Sequence, residues 1–147
     1  MDSDMQIYIT ISMQIFINPG AELSIYRQIM RQIVESIASG QLPRGEKLPS
    51  HRELSERLVI APLTVKKAYD ELEALGYIET QRGRGTFVCQ SLPKVDRSEH
   101  LDKIERAARQ LLSLAYLGDI HFSDLMKILK DQDSEMMQEA SRVKEKA

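Results

Sequence analysis

The feature that most constrains the fold is a glycine-rich turn, Arg82-Gly83-Arg84-Gly85, between two short runs of strand-forming residues. The runs extend from Tyr77 to Gln81 and from Thr86 to Gln90, and this arrangement predicts a β-hairpin. The segments before the hairpin have helical rather than strand-like spacing of their apolar residues. Helices joined by a tight turn and followed by a hairpin predict a winged helix-turn-helix, which is an α+β fold.

Three helices are predicted before the hairpin. The first runs from about Ser24 to Ser39, and Gly40 is suited to end it because glycine tolerates a left-handed cap. A second, short helix begins at Ser50, since Ser50 and Glu53 have the S-x-x-E spacing of a capping box. Between these two helices the sequence predicts a rigid loop, which is marked by Pro43, Gly45 and Pro49.

The third helix is the candidate recognition helix. It begins near Pro62, because proline is favoured at the first helical position, and it ends at Gly76. Lys66 and Lys67 lie near its amino-terminal end, the part of a recognition helix that enters the groove, and Leu63 is predicted to be exposed there. A lysine pair also fits a solvated helix surface. The predicted buried stripe is Val65, Ala68, Tyr69, Leu72 and Leu75.

The predicted hairpin tip strengthens the case for a nucleic-acid partner. It carries two arginines, and no acidic residue occurs from Gln81 to Gln90. Arginines on such a tip are able to enter a minor groove or to pair with phosphates, and the alternative is an ordinary exposed turn. The formal charge of the chain is -2, so this prediction depends on local placement of charge rather than on composition.

The amino-terminal region contains a near-repeat, in which Met5-Gln6-Ile7-Tyr8-Ile9 is similar to Met13-Gln14-Ile15-Phe16-Ile17. Residues 7–11 predict a strand, and Asn18-Pro19-Gly20 predicts a turn that closes the strand of the second copy. The repeat indicates either a local duplication or an extension, residues 1–12, before a translation start at Met13.

After a predicted linker at Leu92-Pro93-Lys94, the chain predicts a helical tail. Asp96 or Ser98 is placed to cap a long helix that ends at Gly118, and a second, shorter helix follows. The predicted domains are a DNA-binding domain, 1–92, and a helical dimerisation tail, 93–147. The predicted dimerisation residues are Leu101, Ile104, Ala108, Leu111, Leu112, Ala115, Leu125 and Leu129.

A series of short motifs runs in order from Ser24 to Cys89. They are Ile25-Tyr26-Arg27-Gln28-Ile29, Gly40-Gln41-Leu42, Gly45-Glu46-Lys47-Leu48-Pro49-Ser50, Arg52-Glu53-Leu54, Thr64-Val65, Ala68-Tyr69, Leu72-Glu73, Leu75-Gly76 and Arg82-Gly83-Arg84-Gly85-Thr86-Phe87-Val88. Together they resemble the DNA-binding domain of the GntR family of transcriptional regulators. The short tail and Pro62 resemble the YtrA-like subfamily, and this resemblance implies dimerisation through the tail and control of neighbouring transporter genes.

The resemblance also implies roles for individual residues. Arg52 corresponds to an arginine that contacts bases or phosphates. Thr64 and Lys66 correspond to recognition-helix contacts, with Lys67 beside them, and Arg82 and Gly83 correspond to wing contacts, with Arg84 adjacent. The chain departs from the family pattern at Ala61-Pro62-Leu63, where many relatives carry a polar run with an arginine, and at Val59, where glycine is common. These departures affect the operator sequence rather than phosphate binding. The predicted DNA-binding residues are Ser50, Arg52, Leu63, Thr64, Lys66, Lys67, Arg82, Gly83, Arg84 and Thr86.

The function predicted from the sequence is a dimeric repressor that binds a near-palindromic operator in double-stranded DNA. The alternative is a protein–protein interaction module built on a winged helix, which would tolerate an acidic wing tip. An enzyme is not predicted, because the chain has no nucleophile elbow, P-loop or paired-carboxylate arrangement. A cavity for a small-molecule effector within one tail is not predicted either; a site at the dimer interface is the alternative, and the sequence does not identify an effector.

No cofactor and no metal site is predicted, since His51, His100 and His121 are far apart in sequence and accompany no cysteine pair. Cys89 is the one cysteine, which fits a reducing cytoplasm. It is expected to pack as a small strand residue, with redox sensing as the alternative. The sequence has neither a secretory leader nor an apolar run of bilayer-spanning length, so a cytoplasmic protein without membrane contact is predicted.

Overall fold

The computed structural model describes residues 14–146. Its elements follow in the order α1 (Ile25–Ala38), β1 (Lys47–Leu48), α2 (His51–Leu58), α3 (Pro62–Ala74), β2 (Ile78–Gln81), β3 (Gly85–Val88), α4 (Arg97–Leu117) and α5 (Phe122–Lys146). The contacts divide the chain into two compact units. The first extends to Pro93 and includes the residues from Glu139 onward, and the second is Lys94–Gln138.

The first unit is a winged helix-turn-helix, as the sequence predicted. Helices α1 and α2 both pack on α3, which contributes Val65, Ala68 and Leu72 as fully buried side chains. Burial of these apolar groups is the main favourable contribution to folding of the unit. The core consists of Ile29, Ile33, Ile37, Leu42, Leu48, Leu54, Val65, Ala68, Tyr69, Leu72, Ile78 and Val88.

A three-stranded antiparallel sheet closes one side of this core, in the order β1-β3-β2. Thr86 of β3 lies opposite Leu48 of β1 and Thr80 of β2. The sequence predicted only a rigid loop where β1 lies, and this prediction is corrected. A strand of two residues has no alternation of its own to detect, and it forms because Glu46 and its neighbours pair with Val88 across the sheet.

Residues next to the ends of α2 and α3 determine where these helices begin and end. The Ser50 hydroxyl accepts a hydrogen bond of 3.1 Å from the Glu53 amide, which confirms Ser50 as the cap of α2, and Pro62 is the first residue of α3. Val59 ends α2 in the left-handed region, at φ 54°. The prediction that Leu75 belongs to the buried stripe is wrong: its side chain is 56% exposed. Leu75 keeps helical dihedral angles as the cap of α3, but it lies at the edge of the stripe, where Gly76 turns the chain toward β2.

The predicted strand at residues 7–11 lies outside the described residues. The strand predicted for the second copy is not formed: residues 14–18 belong to no sheet strand. Their backbone is bound by two glutamine side chains of α1 instead. The Gln32 amide accepts from the Phe16 N–H at 2.9 Å and donates to the Phe16 carbonyl at 2.8 Å, and Gln28 forms the same pair with Asn18, at 2.9 Å each.

The second unit is built from α4 and the beginning of α5. Asp96 caps α4 by accepting a 2.9 Å hydrogen bond from the Ser98 amide, and Gly118 follows its last residue, both as predicted. The prediction that the next helix is the shorter one is wrong, since α5 has 25 residues. It continues through a polar segment because Glu, Gln, Met, Ala and Lys are good helix formers even without an apolar stripe.

The last turns of α5 pack within the first unit, against the end of α1. Gln41 donates a hydrogen bond to the Glu139 carboxylate. Gly40 has a φ of 84°, and a Cβ added there would lie 3.3 Å from the Ala140 Cβ. Glycine at this position therefore serves the left-handed turn after α1 and also the close approach of α5.

Candidate nucleic-acid interface

The amino-terminal turn of α2 presents Arg52. Its side chain is exposed, and within residues 14–146 it forms no hydrogen bond or ion pair. The preceding segment is held from α3, because the Tyr69 hydroxyl donates a hydrogen bond of 2.7 Å to the Pro49 carbonyl. Burial raises the pKa of Tyr69 well above its ordinary value, so the hydroxyl stays a neutral donor. Helix α3 thereby holds the amino-terminal end of α2, where Arg52 is exposed.

The outer face of α3 is a shallow open depression, lined by Leu63, Lys66, Lys67, Asp70, Glu71 and Ala74. Leu63 is 77% exposed, as the sequence predicted, and it lies one residue inside the amino-terminal end of the helix. Thr64 is half-buried beside it. An exposed apolar side chain at this end of a recognition helix is suited to contact with a thymine methyl.

The two lysines of α3 have different partners. Lys66 Nζ lies 2.7 Å from Asp70 Oδ2, and both side chains are more than half exposed. Lys67 Nζ lies 4.1 Å from the centre of the Tyr26 ring on α1, a cation–π distance. The charge of Lys66 is thus offset on its own helix, whereas Lys67 leans toward α1 with its charge uncompensated by a carboxylate at that contact.

The wing tip presents Arg82, Gly83 and Arg84, all exposed. The Arg84 amide donates a 2.9 Å hydrogen bond to the Gln81 carbonyl and closes the turn. Gly83 has a φ of 78°, and a Cβ added there would meet nothing within 4 Å, so glycine is needed for the backbone conformation rather than for space. Thr86 is half-buried and lies in the sheet below the tip.

The wing is attached to α3 by a side chain that the sequence analysis did not single out. The Thr80 amide, on edge strand β2, donates a 2.9 Å hydrogen bond to Glu73 Oε1 of α3. Glu73 lies one helical turn after Tyr69, so the same helix holds α2 through one residue and the wing through the other. The spacing of the two residues is visible in the sequence, but their partners are not.

Lys47 is a second residue that the sequence analysis missed. It lies on β1, and its Cε is 2.9 Å from the position that a Cβ at Gly85 would take. The lysine side chain therefore runs across the backbone at the base of the wing tip and adds positive charge beside Arg82 and Arg84. Its only sequence signal is a place in the Gly45–Ser50 motif.

The predicted dimerisation residues do not form one exposed stripe. Ala115 and Leu125 are buried, and Leu111 and Leu112 are half-buried. The remaining predicted residues are Leu101, Ile104, Ala108 and Leu129, and all four are exposed. Further exposed apolar side chains of this unit are Leu114, Tyr116, Leu117, Ile120, Phe122 and Ile128.

Among residues 14–146, no three His, Cys, Asp or Glu side chains are close enough to hold a metal ion. Cys89 is half-buried, and burial, reinforced by Glu79 and Glu73, raises the pKa of its thiol. No helix in this part of the chain is long and apolar enough to cross a membrane.

Comparison with known proteins agrees with this geometry. The family described as bacterial regulatory proteins, gntR family, matches residues 25–88. The HTH-type transcriptional repressor YtrA of Bacillus subtilis is 36% identical over 115 residues, which are 78% of this chain and 88% of that protein.

Two solved structures are also similar. One is a transcriptional antiterminator from Listeria monocytogenes, with a TM-score of 0.64 and 32% identity over 84% of this chain and 92% of that chain. The other is YtrA from Sulfolobus acidocaldarius, a GntR-family transcription factor, with a TM-score of 0.52 and 41% identity over 65% of this chain and 97% of that chain. The protein belongs to the GntR family of bacterial regulatory proteins.

Proposed function

We propose that this protein is a DNA-binding transcriptional regulator that acts as a homodimeric repressor at a near-palindromic operator. The observation that carries the proposal is that one helix, α3, holds both other DNA-facing elements. It fixes the start of α2 through Tyr69 and the wing through Glu73. Three exposed basic elements attached to one core are suited to a duplex, in which the groove and the flanking phosphates have fixed spacing.

Within this proposal the residues divide into two classes. Arg52 contacts bases, because its guanidinium is unpaired and its fork matches guanine O6 and N7. Lys67, Arg82 and Arg84 act on phosphates or on the potential of the minor groove. The Ala61-Pro62-Leu63 run supplies no polar side chain for base contacts, which leaves Leu63 as an apolar contact.

The exposed apolar surface of the second unit supports the homodimer. Leu101, Leu117 and Phe122 belong to a set of large apolar side chains that a single chain leaves in water, and extended exposed patches of this kind mark interaction sites. Burial against a second copy would gain about 25 cal/mol for each square ångström of apolar surface. A two-fold dimer would then match a near-palindromic operator.

Sedimentation of the full-length chain tests the dimer. Ile104→Glu places a charge in the exposed apolar surface and should convert the dimer to a monomer. Arg106→Glu, which changes an exposed polar position of the same helix, is the matched control and should remain dimeric. A wild-type protein that sediments as a monomer at micromolar concentration would contradict the homodimer.

Titration against DNA tests the main proposal. A duplex selected from a randomised library and a scrambled duplex are titrated at several salt concentrations. Arg52→Ala should cost roughly 1–3 kcal/mol on the selected duplex and less on the scrambled one. Arg82→Ala should weaken binding to both duplexes and lower the slope of log K against log salt by about 0.9. Failure of the wild-type protein to bind either duplex at low salt would overturn the proposed function.

The proposal includes no catalytic step, cofactor or metal, and it places the protein in the cytoplasm, together with the DNA. The proposed targets are neighbouring transporter genes, on the basis of the likeness to the YtrA-like subfamily. Reporter expression from the native promoter, with and without the regulator gene, tests repression directly. Lower expression in the absence of the regulator would show activation instead.

A further inference from the structure

A cationic cluster lies beside the recognition helix, at the beginning of α1. Arg27 Nε donates a 3.2 Å hydrogen bond to the Tyr26 hydroxyl oxygen, and the Arg27 guanidinium carbon lies 5.9 Å from the centre of the same ring. Lys67 approaches this ring from α3, at 4.1 Å. One tyrosine therefore gathers two cations from two different helices.

The cations of this cluster keep an excess of positive charge. Three other exposed cations of the described chain are paired with carboxylates, Lys66 with Asp70, Arg31 with Glu35 and Lys103 with Glu99. Within residues 14–146 neither Arg27 nor Lys67 has such an ion pair. The hydrogen bond to Tyr26 raises the pKa of Arg27, with a smaller contribution from the Glu71 carboxylate, and one carboxylate does not neutralise two cations.

The amino-terminal end of α1 adds to this potential. The helix has 14 residues and no acidic side chain in its first turn, and its cap residue Ser24 makes no side-chain hydrogen bond to the turn. The first N–H groups of a helix carry a partial positive charge that is normally offset by a cap or an acid. Here the offset is missing, so the helix end and the two cations favour an anion at the same place.

We propose that Tyr26, Arg27 and Lys67 together bind one backbone phosphate of the DNA, at the strand that flanks the groove occupied by α3. The inference rests on the proposed function. Lys67 lies on the second turn of α3 and leans toward Tyr26 of α1. A recognition helix inserted by its amino-terminal turns brings the residues at its side against the phosphate backbone.

Each of the three side chains contributes a different group to a phosphodiester. Arg27 uses one N–H on the tyrosine and keeps its remaining donors for phosphate oxygens. The Tyr26 oxygen accepts from Arg27, and its hydroxyl hydrogen stays available as a further donor. Lys67 supplies a point charge, held in place by the ring. The contact is independent of base sequence.

The test is a titration of the full-length protein against the selected and scrambled duplexes over a series of salt concentrations. Arg27→Ala should lower the slope of log K against log salt by about 0.9, which corresponds to the loss of one phosphate contact. It should reduce the affinity for both duplexes by the same factor. Tyr26→Phe keeps the ring under Lys67 and removes the hydroxyl. Tyr26→Phe should reduce the affinity for both duplexes by the same factor, and this factor should be smaller than that of Arg27→Ala.

Arg31→Ala is the matched control, because Arg31 lies one turn further along α1, is exposed and is paired with Glu35. Its salt slope should equal that of the wild type. Equal slopes for Arg27→Ala and the wild type would overturn the phosphate site while leaving the proposed function intact, and so would equal losses in Arg27→Ala and Arg31→Ala. Failure of the wild type to bind DNA would overturn both proposals.

A titration with inorganic phosphate at constant ionic strength separates DNA from a free anion. The expected result is no competition with DNA at millimolar phosphate, since the site holds only one phosphate of a large interface. Competition that Arg27→Ala abolishes would assign the cluster to a free anion and contradict the proposal.

Discussion

The Tyr69 hydroxyl and the Pro49 carbonyl are joined by a buried hydrogen bond of 2.7 Å that spans 20 residues of sequence. Pro49 immediately precedes the cap of α2, so the bond ties α3 to the amino-terminal end of α2, where Arg52 is exposed.

Tyr69→Phe should destabilise the protein by about 1–2 kcal/mol, because the Pro49 carbonyl loses its buried donor. It should also reduce the preference for the selected duplex, since Arg52 is then held less firmly. Urea unfolding and DNA titration measure the two effects. Tyr77→Phe is the control, because Tyr77 is half-buried and its hydroxyl has no hydrogen-bond partner among the described residues. Equal effects of the two substitutions would contradict a special role for the Tyr69 bond.

Glu73 offers a test in which the sign of the effect identifies the cause. If the carboxylate anchors the wing by accepting from the Thr80 amide, Glu73→Ala should weaken DNA binding. Glu73→Gln keeps an acceptor oxygen and should bind at least as tightly as the wild type. If Glu73 acted only through its negative charge, both substitutions would strengthen binding. Titration of the three proteins against one duplex distinguishes the two explanations.

Asp70→Asn should strengthen DNA binding, because it removes an acid from the exposed face of α3 and releases Lys66 from its ion pair. The salt slope should become steeper by up to about 0.9 if Lys66 gains one phosphate contact. Stability should change by less than about 1 kcal/mol, as is typical of exposed pairs. Glu35→Gln breaks the exposed pair with Arg31 on α1 and serves as the control. Unchanged affinity in Asp70→Asn would show that Lys66 does not approach the DNA.

Val59→Gly should stabilise the protein. A β-branched residue at φ 54° is strained, and the side chain is 88% exposed, so little packing is lost. The left-handed conformation costs about 1–2 kcal/mol for a residue with a Cβ, and glycine removes this cost. Glycine also loses more conformational entropy on folding, which offsets part of the stabilisation. A net increase of about 0.5–1 kcal/mol in the free energy of unfolding is expected from these opposing effects.

Asp119, at φ 55°, provides the comparison for that measurement. Aspartate tolerates the left-handed region better than valine does, so Asp119→Gly should give a smaller increase in urea unfolding experiments. Destabilisation by Val59→Gly would mean that the valine side chain makes a contact in the turn that outweighs its strain.

Elements with strong local signals were predictable from the sequence. The Ser50 cap, the proline start of α3 and the glycine-rich wing tip each depend on residues next to one another, and the structure has all three. Strand β1 was not predictable, because its two residues become a strand only through pairing with β3. The length of α5 was missed for a different reason: its second half is helical by composition and lacks the apolar period that was used to find helices.

The candidate site likewise contains some features that were predictable from the sequence and others that were not. Exposure of Leu63 follows from the period of α3, and the Lys66–Asp70 pair follows from a spacing of four residues. The contact between Lys67 and Tyr26 depends on how α1 and α3 pack, and the anchoring of Thr80 by Glu73 depends on where the sheet lies. Such relationships between distant segments are set by tertiary packing, which periodicity alone does not reveal.

The two glutamines of α1 that bind residues 14–18 form their hydrogen bonds to this segment with main-chain atoms of Phe16 and Asn18. Their hydrogen bonds do not depend on which side chains those residues carry. The exposed side chains of the segment are therefore able to vary. Positions 28 and 32 each need a residue that supplies a donor and an acceptor together, as Gln28 and Gln32 do. Among relatives with this arrangement, a variable amino-terminal stretch should accompany two nearly unchanging amide residues four apart.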